Sequence, residues 1–354
     1  MILLGLKIFT AGLESMANNK VALITGIAGQ DGAYLARLLL ERGYDVFGTS
    51  RDAHMSSFIN LDRLNIRSKI TVMSMAINDF RSVLQVMTQA KPDEVYNLAG
   101  QSSVSLSFEQ PVETLESITM GTLNLLECIR LLDRGIRFYN ASSSDCFGNT
   151  GELAADEKTP FSPCSPYGVA KAAAFWEVAN YRDAYNLYAC SGVLFNHESP
   201  LRPERFVTQK IVSAACRIAR GDQKKLNLGN LNVQRDWGLA SEYVNAMWLM
   251  LQQERPDDYV IATGKTCGLD EFVAEAFRLV GLDWKKYVEI DDSLLRPTDL
   301  TIGRANPGKA ERNLGWVAKS SMFDVIKLMV EEKQKTMKAN KSNSITKTND
   351  SLLN

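Results

Sequence analysis

A short apolar run, Val21 to Thr25, stops at Gly26, and glycines recur at Gly29 and Gly32 before an amphipathic helical pattern begins near Ala33. No other feature of this 354-residue chain restricts its fold so tightly. Strand, glycine turn and helix in that order let the backbone bend sharply, admit an anionic group closely and aim helix N-terminal N–H groups at it. The spacing G-x-x-G-x-x-G differs from the commoner G-x-G-x-x-G, so by itself it also fits a purely structural turn.

The rhythm downstream favours the binding fold. Strand patterns at Asp45 to Thr49, Ile70 to Met73, Glu94 to Leu98, Arg137 to Ala141 and Ala189 to Phe195 alternate with helical patterns at Ala33 to Arg42, Asp79 to Ala90, Pro111 to Leu132 and Tyr167 to Tyr185. Continuous apolar strands separated by helices predict an α/β protein with a Rossmann-type, doubly wound parallel sheet. Beyond Asn196 the pattern loosens around Pro200, Pro203, Pro256, Pro297 and Pro307, which predicts a smaller α/β C-terminal substrate lobe. Val244, Met247, Trp248 and Leu251 recur at helical spacing, so residues 231–258 are expected to pack back on the first lobe. The expected organisation is an N-terminal extension at 1–18, a Rossmann domain at 19–196, a substrate lobe from 197–230 and 259–333, and a disordered tail at 334–354. Met16 is read as the natural start, because MANNK runs directly into the first strand.

Charge and cysteine content exclude other classes. With 40 basic and 41 acidic residues, no global field recruits nucleic acid or an anionic membrane, and any phosphate site must be local. The six cysteines show no C-x-x-C spacing and the histidines are only His54 and His197, which argues against a disulfide framework and a metal site and suits a cytoplasmic protein. The apolar start MILLGL is interrupted by Lys7, short of a membrane span.

Two further constellations carry chemistry. At the end of the second strand Arg51 stands where a cation would favour the 2′-phosphate of NADP, although Asp52 follows it and a solvated loop charge is the plainer alternative. Tyr167 and Lys171 lie four residues apart on one helix face, where an ammonium and a positively charged nicotinamide would favour the phenolate. Upstream, Ser143 and Asp145 close a strand at the carboxyl end of the sheet, the place of active-site residues in such folds. Ser143 suits a hydrogen bond to a reacting hydroxyl and Asp145 acid–base work, with a serine-rich capping turn as the structural alternative.

The segments TGIAGQDGAYLARLL, VYNLAGQSSV, SPYGVAKAAAFW, LFNHESPLRPERFVTQKI, LGNLNVQRDWG and YVIATG resemble those of GDP-mannose 4,6-dehydratases, within the extended short-chain dehydrogenase/reductase superfamily. The resemblance spans residues 19 to 333 and is most specific from Asn196 to Lys210. It implies a tightly held NADP, a GDP-hexose bound between the lobes and a catalytic group on Ser143, Asp145, Tyr167 and Lys171. The implied cofactor contacts are Gly26, Gly29, Gln30, Asp31, Gly32, Arg51, Leu98, Ala99, Tyr167, Lys171, His197 and Arg202, with His197 read as a hydrogen-bonded structural residue rather than a catalytic one. Ser102, Asn196 and Glu198 are expected on the substrate side. Arg235, Arg296 and Lys210 are candidates for charge-assisted bonds to a diphosphate. The chain departs from the family at Ser143, where threonine is usual, at Asp145, where glutamate is usual, and at Asp52, where a second arginine is common.

The reaction implied for GDP-mannose begins with oxidation at C4, Tyr167 taking the hydroxyl proton. Asp145 then takes the C5 proton, and loss of water from C6 gives GDP-4-keto-6-deoxymannose, the sugar of GDP-fucose biosynthesis. A homodimer or homotetramer is expected. The rival readings are a dehydratase for another GDP-sugar such as a GDP-heptose, a 4-epimerase, and a cofactor-sensing module without turnover. A 4-epimerase needs no carboxylate at 145, and a sensor has no use for a phenolate.

Overall fold

The structure is a computed structural model that describes residues 19–132 and 134–350. The N-terminal extension with Met16, and residues 351–354 of the expected tail, lie outside the described residues. The first lobe comprises β1 (Val21–Thr25), α1 (Gln30–Glu41), β2 (Asp45–Ser50), α2 (Ile59–Arg63), β3 (Thr71–Ser74), α3 (Phe80–Ala90), β4 (Glu94–Asn97), α4 (Val104–Glu109), α5 (Pro111–Leu115), α6 (Gly121–Leu132), β5 (Arg137–Ser143), α7 (Pro166–Tyr185) and β6 (Ala189–Leu194). Then come β7 (Asn196–Glu198), α8 (Val207–Ala219), β8 (Leu226–Leu228), β9 (Gln234–Leu239), α9 (Ala240–Met250), β10 (Tyr259–Ile261), β11 (Thr266–Gly268), α10 (Leu269–Leu279), β12 (Val288–Ile290), α11 (Gly308–Leu314) and α12 (Met322–Asp350).

Seven parallel strands form the central sheet in the order β10-β6-β5-β4-β1-β2-β3. The order reverses between β1 and β4, so their carboxyl ends open a crevice outside the sheet. β4 and β6 are buried at every residue, as strands covered by helices on both faces must be. Thr25 closes the crevice floor. Its hydroxyl bonds Asn97 at 2.9 Å and accepts the Leu98 and Ala99 N–H groups at 3.0 Å. Gly26 has φ +71°, and a Cβ there would stand 2.8 Å from the Leu98 carbonyl oxygen. At Gly32 a Cβ would meet the Gly26 carbonyl oxygen at 2.5 Å, so α1 begins against the turn only because no side chain intervenes.

The two lobes interleave. α9 packs on α1, placing Tyr243, Val244 and Met247 in one core with Leu35 and Leu39. A separate core joins α8, α10, α12 and β9 through Ile211, Val212, Trp237, Phe272, Phe277, Val325 and Met329. The second lobe also carries the sheets β11-β9-β7 and β12-β8.

Two elements differ from the sequence expectation. The continuous helix from Pro111 to Leu132 is broken by a π turn at Glu116–Met120, where the Ser117 hydroxyl accepts the Gln101 N–H at 3.2 Å. The chain beyond Lys333 is helical as far as Asp350, in place of the disordered tail its polarity suggests. Near the start of this stretch Lys335 pairs with Glu332 one turn back at 2.6 Å.

Candidate active site

A cavity of about 450 Å³ lies between the lobes at the carboxyl ends of the sheet strands. From the first lobe come Ser143 and Asp145 after β5, and Tyr167 and Lys171 on α7. Ser165 starts α7 as its N-cap, its hydroxyl accepting the Gly168 N–H at 3.0 Å, and Pro166 fits the first helical position. The four-residue spacing then turns Tyr167 and Lys171 to the same face.

Ser143 accepts the Asp145 N–H at 3.2 Å, and its hydroxyl lowers the Tyr167 phenol pKa against burial. The capping in this region falls to Ser143 and Ser165, and among the described residues the Asp145 carboxylate has no hydrogen-bond partner. Burial raises the Asp145 carboxyl above its ordinary range, against the opposing pull of Arg235 and Arg296. A carboxylate so placed is available for proton transfer.

The Tyr167–Lys171 pair differs from the simplest expectation. Lys171 donates to the Ala141 carbonyl at 2.7 Å, with its ammonium 5.9 Å from the centre of the Tyr167 ring. Burial, followed by the Asp145 charge, holds the Tyr167 phenol well above its usual value. Burial pushes the Lys171 amine down to about 8. A further positive charge near the ring would bring Tyr167 toward working range.

Among the residues expected at the dinucleotide, Asp31, Leu98, His197 and Arg202 line the cavity along with Tyr167 and Lys171. Gly26 and Gly29 lie in the turn beside it and Gln30 and Gly32 in the first turn of α1, while Ala99 follows β4 and donates its N–H to Thr25 at 3.0 Å. Gly29 caps α1 without a side chain, so no side chain occupies the first-turn N–H groups. Arg51 stands apart from the cavity wall, 85% exposed and paired with Glu113 at 3.2 Å. His197 is buried with both ring nitrogens engaged: Nδ1 lies 2.7 Å from the Phe195 carbonyl oxygen and Nε2 2.9 Å from Asp31 Oδ2. Its ring stacks on Tyr243 at 4.7 Å. Arg202 stacks on Phe206 and pairs with Glu198 at 3.3 Å.

On the other wall, Ser102, Asn196, Glu198, Lys210, Arg235 and Arg296 all line the cavity. Glu198 accepts from the Thr208 hydroxyl at 2.7 Å, and Lys210 donates to the Asn227 carbonyl at 2.8 Å. Arg235, on β9, donates to the carbonyls of Gln234 and Leu300 at 2.9 and 2.6 Å. Asp299 Oδ1 lies 3.6 Å from Arg235 and 3.4 Å from Arg296, and Arg296 donates to Ser105 at 3.0 Å across the lobe boundary. Asp299 and Ser105 escape the sequence reading, since their pairing depends on a loop far from either in sequence. The only local sign is Asp299 standing three residues after Arg296. Among the described residues no cluster of side chains suits a metal ion.

A seven-stranded parallel sheet with a glycine turn at its switch point and a Ser–Tyr–Lys group at its carboxyl edge defines a Rossmann-fold protein of the short-chain dehydrogenase/reductase type. Solved structures bear out the fold. UDP-glucose 4-epimerase of Thermotoga maritima superposes with a TM-score of 0.80 at 23% identity, over 90% of this chain and 99% of that one. A dTDP-glucose 4,6-dehydratase of Bacillus anthracis, solved with NAD, gives 0.78 at 20% identity over 89% and 97%. The chain belongs to the GDP-mannose 4,6-dehydratase family, whose model matches residues 23–329. It is 47% identical over 323 residues to GDP-mannose 4,6 dehydratase 1 of Arabidopsis thaliana, covering 88% of this chain and 89% of that protein. It is 44% identical over 343 residues to GDP-mannose 4,6-dehydratase of Sinorhizobium fredii, covering 90% and 97%.

Proposed function

We propose that this protein is a hydro-lyase that converts GDP-mannose to GDP-4-keto-6-deoxymannose with a nicotinamide dinucleotide, NADP, as resident cofactor. The observation that carries the reading is the unbonded Asp145 carboxylate in the same cavity as Ser143, Tyr167 and Lys171. Oxidation at C4 needs only the last three, whereas elimination needs a base at C5.

The residues fit a dinucleotide. Gly26, Gly29, Gln30, Asp31 and Gly32 would present backbone N–H groups to its pyrophosphate, with Leu98, Ala99 and Arg202 alongside and Tyr167 and Lys171 at its reactive end. When bound it supplies a reversible hydride acceptor and a positively charged ring. Tyr167 takes the C4 hydroxyl proton while Ser143 orients that hydroxyl. Lys171, held by the Ala141 carbonyl, adds a second positive charge near the phenol. Asp145 removes the C5 proton, made acidic by the neighbouring C4 carbonyl, and the C6 hydroxyl takes a proton and departs as water; the hydride removed from C4 would be returned to C6 and a solvent proton taken up at C5. The sugar is oxidised at C4 and reduced at C6, so the overall change is loss of one water. Incubation with GDP-mannose and only a trace of NADP should give complete conversion to a product one water lighter. A requirement for stoichiometric cofactor would refute the cycle.

Arg51 is the group assigned to the 2′-phosphate of NADP, exchanging Glu113 for the phosphate. A charge-assisted contact is worth about 1.5–3 kcal/mol, roughly ten- to hundredfold in affinity. Titration should show NADP binding more tightly than NAD, with Arg51→Ala narrowing the gap. Equal binding of the two by the unmutated protein would rule the assignment out.

On the substrate side, Arg235, Arg296 and Lys210 hold the diphosphate, and Ser102, Asn196 and Glu198 contact the nucleotide sugar. Arg235→Ala should weaken GDP binding by roughly ten- to hundredfold and leave NADP binding nearly intact. Equal loss of both ligands would make Arg235 a scaffold residue. Large apolar side chains exposed on the adjoining α5 and α7, including Val112 and Trp176, support assembly into a homodimer or homotetramer. The six free cysteines support a reducing, cytoplasmic setting.

A further inference from the structure

His197 bonds two groups that can only accept. Nδ1 faces the Phe195 carbonyl oxygen at 2.7 Å, and Nε2 faces the Asp31 carboxylate at 2.9 Å. Both ring nitrogens must therefore donate, a property of the imidazolium alone. Burial opposes the charge on both groups, but the Asp31 charge with the hydrogen bonds to Asp31 and Phe195 together raise the His197 pKa, and the His197 charge and hydrogen bond with Arg202 and Gln30 together lower that of Asp31. The pair is thus a nearly buried ion pair, with Tyr243 stacked on the ring and Arg202 the other nearby charge.

The pair sits inside a larger clamp. Gln30 donates to the His197 carbonyl at 3.1 Å and to Asp31 at 3.1 Å, and accepts from the Ser199 hydroxyl at 2.7 Å. Residues 30 and 31 open α1 directly after the glycine turn, so the turn is tied to the segment 197–199 by side chains from both partners. That segment begins in β7, which carries Asn196 and Glu198 in the cavity wall. β7 pairs with β9 through Asn196↔Trp237 and His197↔Gly238, and β9 carries Arg235. One short strand therefore connects the dinucleotide turn to the wall assigned to the nucleotide sugar.

We propose that the His197–Asp31 pair is a positioning device that couples the two sites, holding the glycine turn and β7 in the one relative placement that suits both ligands. The inference rests on the nucleotide-sugar reading above. A ligand that orders either side lowers the cost of ordering the other, and the coupling is reciprocal. A pair serving only general stability would weaken both sites without linking them.

The test is titration of the full-length protein with GDP, alone and with saturating NADP. In the unmutated protein NADP should tighten GDP binding by a factor in the range of about 5–150, the usual size of such couplings. His197→Phe keeps the stack on Tyr243 but removes both hydrogen bonds, and Asp31→Ala removes the partner. In each the factor should fall toward unity. Gln30→Leu, which leaves the pair in place but cuts its bracing, should give an intermediate factor and serves if His197→Phe does not fold. Asp31→Asn should preserve the coupling, because a neutral His197 can accept from the amide while still donating to Phe195. A factor near unity in the unmutated protein overturns the inference, as does an unchanged factor in Asp31→Ala or its collapse in Asp31→Asn. Failure of GDP to bind the unmutated protein at all would instead overturn the nucleotide-sugar reading, and this inference with it.

Discussion

Asp145→Asn should slow turnover of GDP-mannose by about 10²–10⁴-fold, the usual worth of a general base, with GDP and NADP binding little changed. The substitution keeps volume and removes only the capacity to take a proton. Because the carboxylate has no hydrogen-bond partner among the described residues, no cap is lost with it and the fold should be unaffected. The shorter side chain relative to the family's glutamate sharpens the test: Asp145→Glu should retain or raise activity, since burial keeps a carboxyl here basic and the extra methylene reaches further into the cavity. Steady-state kinetics with product detection distinguish the outcomes. Turnover of Asp145→Asn at the unmutated rate would mean that another group takes the C5 proton.

Tyr167→Phe should abolish detectable turnover, a loss of at least about 10²–10⁴-fold, because it removes the base for the first step and no later step can begin. Its dependence on Lys171 gives a second signature. The Lys171 amine, pushed down to about 8 by burial, carries its charge below that pH and loses it above. In the proposed mechanism protonated Lys171 draws Tyr167 toward working range, so kcat/KM should fall on the alkaline side with a midpoint near 8. Lys171→Met should lower activity at every pH and erase that limb. Persistence of the limb in Lys171→Met would assign it to a different group.

Much of the first lobe is legible in sequence because its signals are local. The glycine turn, the apolar strands from Val21 to Leu194 and the Tyr167–Lys171 spacing each lie within one element, and the strands fall within a few residues of their observed ends. The chain after β6 is less so. β7, β8, β10, β11 and β12 have three residues each, too few for a period to show, and α8 and α10 acquire their meaning only by packing on α12. Side-chain partners are the least legible. The Tyr167 environment turns on Asp145 and on burial, and Asp299 joins Arg235 to Arg296 through loop closure. The His197–Asp31 pair spans 166 residues of sequence.

The most direct test of the account is the reaction of GDP-mannose in D₂O, followed by mass and proton NMR of the product. Loss of one water with a single solvent deuterium at C5 is the predicted result, since C5 must exchange its proton during elimination, and Asp145→Asn should suppress both together. A product of unchanged mass with C4 inverted and no deuterium at C5 would contradict the account, and would make the protein a 4-epimerase on the same fold.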